Sequence, residues 1–392
     1  MFYNEINKVE RGLFFQTGAA WSRLRKVMNK VMLADHGSIN SFAPDIVNIN
    51  SDVLRSWKEK CQVVDDRKWI IDDVKMELCK WSIESTGYML FGDRMGCIPS
   101  ETTPESDSRA QMLVENVANM FTETSRLQVI PVKLAHRLNL GVWKRFEQAS
   151  STMIQLANEY VEENMMKQRN LVKQNSIMRK LLGFGSLSEG EVSRSMVDLI
   201  IAAADTTSNS LQWMLYMIAK RQDVQLKILE EVIPLFNNPG DLEKIHEKAP
   251  YLRAFLREVS RLYPTAPFLA RTLSKDIVLG GYLIPAGKPI VLSLFTTSRM
   301  SKYFEDPLAF KPERWLRNIN KCPVGRDSAF ASLPFGFGAR SCIGRRAAEL
   351  QMSLFIASFV REFDSSLAYD VDIKLNMILT PSRPIKLNLK AR

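Results

Sequence analysis

Apolar residues recur at helical spacing through most of the chain. Residues 1–35 end in a helix expected from about Ala19, just after the break at Gly18. Residues 40–95 read as two helices, the second carrying apolar positions at i, i+3 and i+4 from Ile70 to Phe91. A polar loop with Pro99, Pro104 and several serines covers residues 97–108, and residues 109–182 read as mainly helical with breaks near Pro131 and Gly141. Ser188-Glu189-Gly190-Glu191 then has the form of a capping box after the breakers Gly183 and Gly185, and it opens a long helix to about Lys220. Two more helices are expected over residues 222–236 and 249–263, the latter stopped by Pro264.

The texture changes after residue 264. Short β-type runs appear at Ala270–Leu273, Ile277–Leu279, Tyr282–Ile284 and Pro289–Phe295, separated by Gly280-Gly281 and Pro285-Ala286-Gly287. A loop-rich stretch covers 301–341, a strong helix covers 344–363, and Lys374 to Leu389 alternates like a hairpin around Pro381. The fold class expected is mainly α with a small β region late in the chain (α+β). A helical part spans residues 1–263, and a second part, with the small sheet, loops, last helix and hairpin, spans 264–392.

Composition narrows the function classes. With 392 residues, 46% of them hydrophobic, the chain has ample material for a large core. The longest apolar stretch, Met196 to Ala204, is shorter than the roughly 18 residues of a membrane span and already contains Asp198. Lysine and arginine total 53 against 43 acids, a formal +10. That excess keeps the protein soluble, and it also suits an acidic protein partner or an anionic membrane surface. No zinc finger, basic zipper or aromatic-basic repeat is present to read nucleic acid. The five cysteines, Cys61, Cys79, Cys97, Cys322 and Cys342, are scattered and never spaced CxxC, which argues against a disulfide scaffold or structural zinc and for a reducing compartment. The three histidines, His36, His136 and His246, make no pair at metal-ligand spacing. No leader segment is visible, and Met1 runs within a dozen residues into what reads as the middle of a fold.

The segment Phe335-Gly336-Phe337-Gly338-Ala339-Arg340-Ser341-Cys342-Ile343-Gly344 carries the most chemistry. Its glycines permit positive φ and close backbone approach. Arg340 can pair with an anion, and Cys342 stands just ahead of a helix, where free N–H groups favour the thiolate that binds metals. The bland alternative is a buried structural cysteine beside a glycine-rich turn. The filled pattern FxxGxRxCxG resembles the cysteine-ligand signature of the cytochrome P450 family of haem-thiolate monooxygenases. The resemblance implies haem b with Cys342 as axial ligand of the iron, a thiolate that favours O–O cleavage.

Further segments resemble the same family in the same order. Glu258 and Arg261 form ExxR on one helical face, and Pro312-Glu313-Arg314-Trp315 follows downstream. The resemblance implies a buried cluster of Glu258, Arg261 and Arg314 that locks the cysteine loop. Ala202-Ala203-Ala204-Asp205-Thr206-Thr207 resembles the oxygen-activation motif, with Ala203 where the family usually has glycine. Thr206 can bond a carbonyl one turn back, and Asp205 with Thr206 is the implied proton relay, the catalytic pair. Trp21 and Arg25 lie one turn apart, and with Arg271 and Arg340 they match positions that hold the haem propionates, for which the guanidinium fork is suited.

The resemblance also bears on partners. Arg253, Arg257 and Arg346 stand where animal mitochondrial members dock an acidic iron–sulfur ferredoxin, which is reduced by its own reductase; a solvated helix face is the plain alternative. A mitochondrial enzyme on the matrix face of the inner membrane is therefore expected, hydroxylating a lipophilic, sterol-like substrate with O2, in the manner of an arthropod ecdysteroid hydroxylase. Residues ahead of Asp205, from Pro267 to Leu269 and from Ile378 to Thr380 are the expected substrate-facing segments. The competing readings are a microsomal xenobiotic monooxygenase of the endoplasmic reticulum and a haem-binding fragment without turnover. The last arises because the family's earlier helices, first strands and active-site roof are expected to be missing from this chain.

Overall fold

Helix ends fall where local chemistry sets them. In the computed structural model, which describes residues 2–34, 36–60, 62–65, 68–100, 105–170, 175–316, 330–375 and 377–392, the helices that place the site are α1 (Gly18–Asn29), α2 (Ala43–Lys60), α3 (Lys75–Phe91), α4 (Ser108–Leu127), α5 (Gly141–Asn170), α6 (Glu189–Lys220), α7 (Gln222–Val232), α8 (Pro250–Leu262) and α9 (Arg345–Glu362). The expected capping box forms at α6: Glu191 N–H donates to Ser188 Oγ at 3.2 Å and Ser188 N–H to the Glu191 carboxylate at 2.9 Å. α8 has Pro250 at its first turn, where no N–H is needed.

The strands are β1 (Gln62–Asp65), β2 (Lys68–Ile71), β3 (Phe268–Thr272), β4 (Ile277–Leu279), β5 (Tyr282–Ile284), β6 (Pro289–Ser293), β7 (Phe363–Leu367), β8 (Ile373–Leu375), β9 (Leu379–Pro381) and β10 (Leu387–Ala391). They form one four-stranded sheet in the order β1-β2-β10-β7 and three two-stranded pairs, β3-β6, β4-β5 and β8-β9.

Three expectations are corrected. Strands are not confined to the late part of the chain, because β1 and β2 form a hairpin between α2 and α3. Ile70 and Ile71 belong to β2 rather than to the following helix, which begins at Lys75. A short apolar run fits either period, and here the arbiter is β10, which sets Leu387 opposite Ile71 from the far end of the chain. The C-terminal hairpin turns before Leu379, with Leu375 opposite Leu379 and Ile373 opposite Pro381. Pro381, lacking an N–H, closes a strand instead of forming the turn, and β10 leaves to pair with β7.

The core lies between α2, α3, α6 and α9. Trp57 and Trp81 meet Phe355 edge-on at 5.9 and 4.8 Å, and Trp81 Nε1 donates to Asn50 Oδ1 at 2.7 Å, so the buried indole is satisfied. α6 is buried on nearly every side, which makes it the axis of the molecule. Among the described residues no helix is long and apolar enough to cross a membrane. Cys61, Cys322 and parts of the expected loops at 97–108 and 301–341 lie outside the described residues.

Candidate active site

Cys342 closes a tight turn just before α9. Its N–H donates to Phe335 O at 2.8 Å, Gly336 N–H donates to Leu333 O at 2.9 Å, and Ser341 N–H donates to Gly338 O at 3.0 Å. Gly336 and Gly338 hold φ of 69° and 76°, a region that a side chain would strain. Of the described cysteines, Cys79 and Cys97 are buried, and burial pushes the Cys79 thiol up to about 12. Cys342 is the accessible one. Its sulfur sits low in the loop among protein atoms, so burial raises its pKa, while the Gly344 N–H and the Arg25 guanidinium act in the opposite direction. A bound metal ion would complete the deprotonation that these groups only favour in part.

Arg25, Arg271 and Arg340 gather around this loop. Arg25 is buried on α1, and its pKa is lowered by burial, with the Cys342 sulfur opposing and Arg340 reinforcing the shift. Arg340 is lowered by burial and by Arg271. Its guanidinium lies 3.7 Å over the Trp21 ring and donates to Gln16 O at 3.3 Å. Arg25 Nε donates to Asn29 Oδ1 at 2.7 Å, and Arg271 donates to the Ala270 carbonyl at 2.8 Å. Among the described residues no carboxylate ion-pairs with any of the three. Mutually repelling cations beside a metal-binding sulfur form a donor set that fits a flat dianionic metal cofactor, so the haem expected from the sequence suits these residues.

α6 presents a narrow accessible strip at Ala202, Ala203, Thr206 and Ser210, with buried residues between them. Thr206 Oγ1 donates to Ala202 O at 2.7 Å, the expected backward bond, while α6 remains a continuous helix. Asp205 is on a different side. It is buried beside Lys75, and burial raises its carboxyl above the usual range, with Lys75 opposing. The acid and the alcohol are thus sequence neighbours that meet different surroundings.

Glu258, Arg261 and Arg314 converge fully. Arg261 bonds both Glu258 oxygens at 2.8 and 2.9 Å, Arg314 Nε reaches Glu258 at 3.0 Å, and the Lys311 N–H and Trp315 Nε1 add bonds at 2.9 and 2.8 Å. Arg261 spends its remaining donors on Ser298, Pro307 and Ala309 carbonyls. The segment from Ser298 to Trp315 is thereby tied to α8.

Arg253 and Arg257 stand one turn apart on the exposed face of α8, with Arg257 lying 4.4 Å over the Trp315 ring. Arg346 is partly buried in the first turn of α9. Of the expected substrate-facing segments, Phe268 is accessible and Ile378 and Thr380 line a recess, but Leu379 is fully buried.

Lys75, Asn209 and Gln212 were not singled out from the sequence. Asn209 and Gln212 carried a legible signal, since Asp205, Asn209 and Gln212 repeat at i, i+4 and i+7 on α6, where the other polar residues nearby are the small hydroxyls Thr206, Thr207, Ser208 and Ser210. Lys75 carried none, because it reaches Asp205 only through the packing of α3 on α6.

The family model described as cytochrome P450 matches residues 1–389. The chain is 32% identical to cytochrome P450 10 of Lymnaea stagnalis, over 100% of this chain and 71% of that protein. It is 30% identical to the mitochondrial 1,25-dihydroxyvitamin D(3) 24-hydroxylase of Rattus norvegicus, over 100% of this chain and 74% of that enzyme. It is 29% identical to the mitochondrial cholesterol side-chain cleavage enzyme of Oncorhynchus mykiss, over 99% and 74% respectively.

Proposed function

The chain belongs to the cytochrome P450 family and is a monooxygenase of that family, and from this premise we propose that it hydroxylates a sterol-like molecule in the mitochondrion with electrons from an acidic ferredoxin. One observation carries the assignment of its centre: an accessible cysteine ahead of α9 with three arginines around it that no described carboxylate pairs. In this reading Cys342 would ligate the iron of haem b, and Arg25, Arg271, Arg340 and Trp21 would hold its carboxylates. When bound, the haem supplies O2 activation at an iron made electron-rich by the thiolate.

The chain's own residues bind, orient and supply protons. Ala202 and Ala203 keep one strip of α6 low enough for a flat group to lie against it. The Thr206 hydroxyl, now bonded to Ala202 O, can rotate to donate its proton while the carbonyl stays within the helix. Asp205, with its carboxyl raised by burial, holds a proton at higher pH than an exposed aspartate, and it would replace the one Thr206 gives only after turning from its own face of α6 toward the hydroxyl. Thr206→Ala should keep cofactor binding and cut coupled turnover by on the order of tenfold or more. The ratio of product to hydrogen peroxide released per electron pair checks this; full coupling in the variant would remove Thr206 from the relay.

The mitochondrial and sterol parts of the proposal rest on the named relatives, two of which are mitochondrial enzymes of cholesterol and vitamin D chemistry. The exposed Arg253 and Arg257 give the partner its surface. Charge reversal of both should slow ferredoxin-supported turnover by about tenfold at low salt, with the gap narrowing as ionic strength rises. Turnover supported by a flavoprotein reductase but not by ferredoxin and its reductase would contradict this assignment.

A further inference from the structure

Asp198 is a buried acid with no part in the proton relay. It stands on α6 one turn before Ala202, where the accessible strip begins, and its side chain is fully enclosed. Its bonds among the described residues go to one short stretch of chain. Arg11 Nε and Nη2 donate to Asp198 Oδ1 at 2.9 and 2.7 Å, Phe14 N–H donates to Oδ2 at 3.1 Å, and the Gly12 N–H adds to them. Residues 11–17 form neither helix nor strand, so no backbone ladder fixes them. They lie hard against α6: a methyl group on the buried Gly12 would meet the Arg194 carbonyl oxygen at 2.7 Å. An apolar residue at 198 would pack without the desolvation cost of a charge, so what the acid adds is a fixed register for this strap.

The far end of the strap reaches the cysteine loop. Gln16 Nε2 donates back to Arg11 O at 3.4 Å, which ties the two ends of the strap together. Gln16 O accepts from Arg340 Nη1 and Nη2, each at 3.3 Å, and the Trp21 ring lies 3.7 Å beneath the same guanidinium. The carbonyl and the ring together set the plane of Arg340. Phe14, Phe15, Arg271 and Arg340 border a recess of about 410 Å3, and the guanidinium N–H groups not spent on Gln16 remain for an anion. A run of contacts thus joins Asp198 to Arg11, Arg11 to Gln16 and Gln16 to Arg340, two residues before Cys342.

We propose that Asp198 is a positioning residue for the cofactor: it pins the strap of residues 11–16 on α6, so that Gln16 O holds Arg340 in place to receive a haem carboxylate. The proposal rests on the assignment of Arg340 to the haem carboxylates and adds a residue that touches neither the haem nor the cysteine. A guanidinium held in advance loses less freedom when the anion arrives, so the strap acts on how long the cofactor stays.

Haem b and its dimethyl ester, which lacks the carboxylate charges, separate this role from a general loss of stability. The rate at which the haem-loaded full chain releases each to an excess of a haem-scavenging apoprotein would be compared. The wild type should release the ester faster by roughly tenfold or more. Asp198→Asn, nearly the same shape, turns an amide toward Arg11 and frees the strap; it should speed release of haem b by on the order of three- to tenfold and change release of the ester little. Gly12→Ala, which pushes the strap off α6 and leaves the ion pair chemically intact, should do the same. Equal acceleration of both cofactors in the variants would make Asp198 a stabiliser of the fold only, and unchanged release of both would free Arg340 from the strap; either overturns the proposal. A wild type that releases both at one rate would instead overturn it through the carboxylate assignment beneath it, so the two failures are told apart.

Discussion

Glu258→Ala should cost the chain a large share of its stability, about 3–5 kcal/mol. The Glu258 carboxylate accepts from Arg261, Arg314, the Lys311 N–H and the Trp315 indole, and Glu258 and Arg261 have fully buried side chains. Removing the one anion strands two guanidinium groups and two neutral donors. Breaking a buried ion pair from one side costs about 3–5 kcal/mol, set against a total stability on the order of 5–15 kcal/mol. The carbonyls of Ser298, Pro307 and Ala309 still satisfy part of Arg261, which places the loss within that range rather than above it. Denaturant midpoints would measure it. Arg257→Ala, at an exposed position one residue earlier, should move the midpoint far less, because the charge it removes is exposed. Equal losses in the two variants would show that the cluster does not hold the segment from Ser298 to Trp315.

Cys342→Ala is expected to abolish hydroxylation while leaving the polypeptide folded. The loop is fixed by backbone bonds, Cys342 N–H to Phe335 O and Ser341 N–H to Gly338 O, and neither uses the sulfur. The arginines that surround it are held by Asn29, Gln16, Ala270 and the Trp21 ring, and these contacts also survive. Turnover should fall below detection, with circular dichroism and melting temperature close to wild type. Cys79→Ala makes the opposite case. It opens a buried core position, so it should cost stability and leave the chemistry of the centre alone. Retained activity in Cys342→Ala would move the centre elsewhere.

The parts of this fold that depend on local chemistry were readable from the sequence, and those that depend on distant pairing were not. Ser188 with Glu191 and Pro250 at the head of α8 mark helix starts through bonds that span a few residues. β2 forms only because β10 arrives from the other end of the chain, and nothing near Ile70 announces that. The turn misplaced at Pro381 has the same cause, since its strand partner is decided by where β10 goes. In the site, Glu258, Arg261 and Arg314 were assigned to one cluster by resemblance, and the structure brings them within hydrogen-bond distance. Asp205 and Thr206 read as a pair, yet neighbouring residues on a helix point about 100° apart, and burial separates the acid beside Lys75 from the accessible alcohol. The spacing of Asn209 and Gln212 from Asp205 was visible, but not the recess they border, which α4 and the β8-β9 hairpin complete.

The central claim is that Cys342 supplies a thiolate to haem iron, and the absorption spectrum of the reduced, carbon-monoxide-bound protein tests it most directly. The haem-loaded wild type should show the red-shifted Soret band of a thiolate ligand, and Cys342→Ala should lose that shift. A wild-type band at the position given by a nitrogen ligand, or a shifted band that persists in Cys342→Ala, would contradict the account.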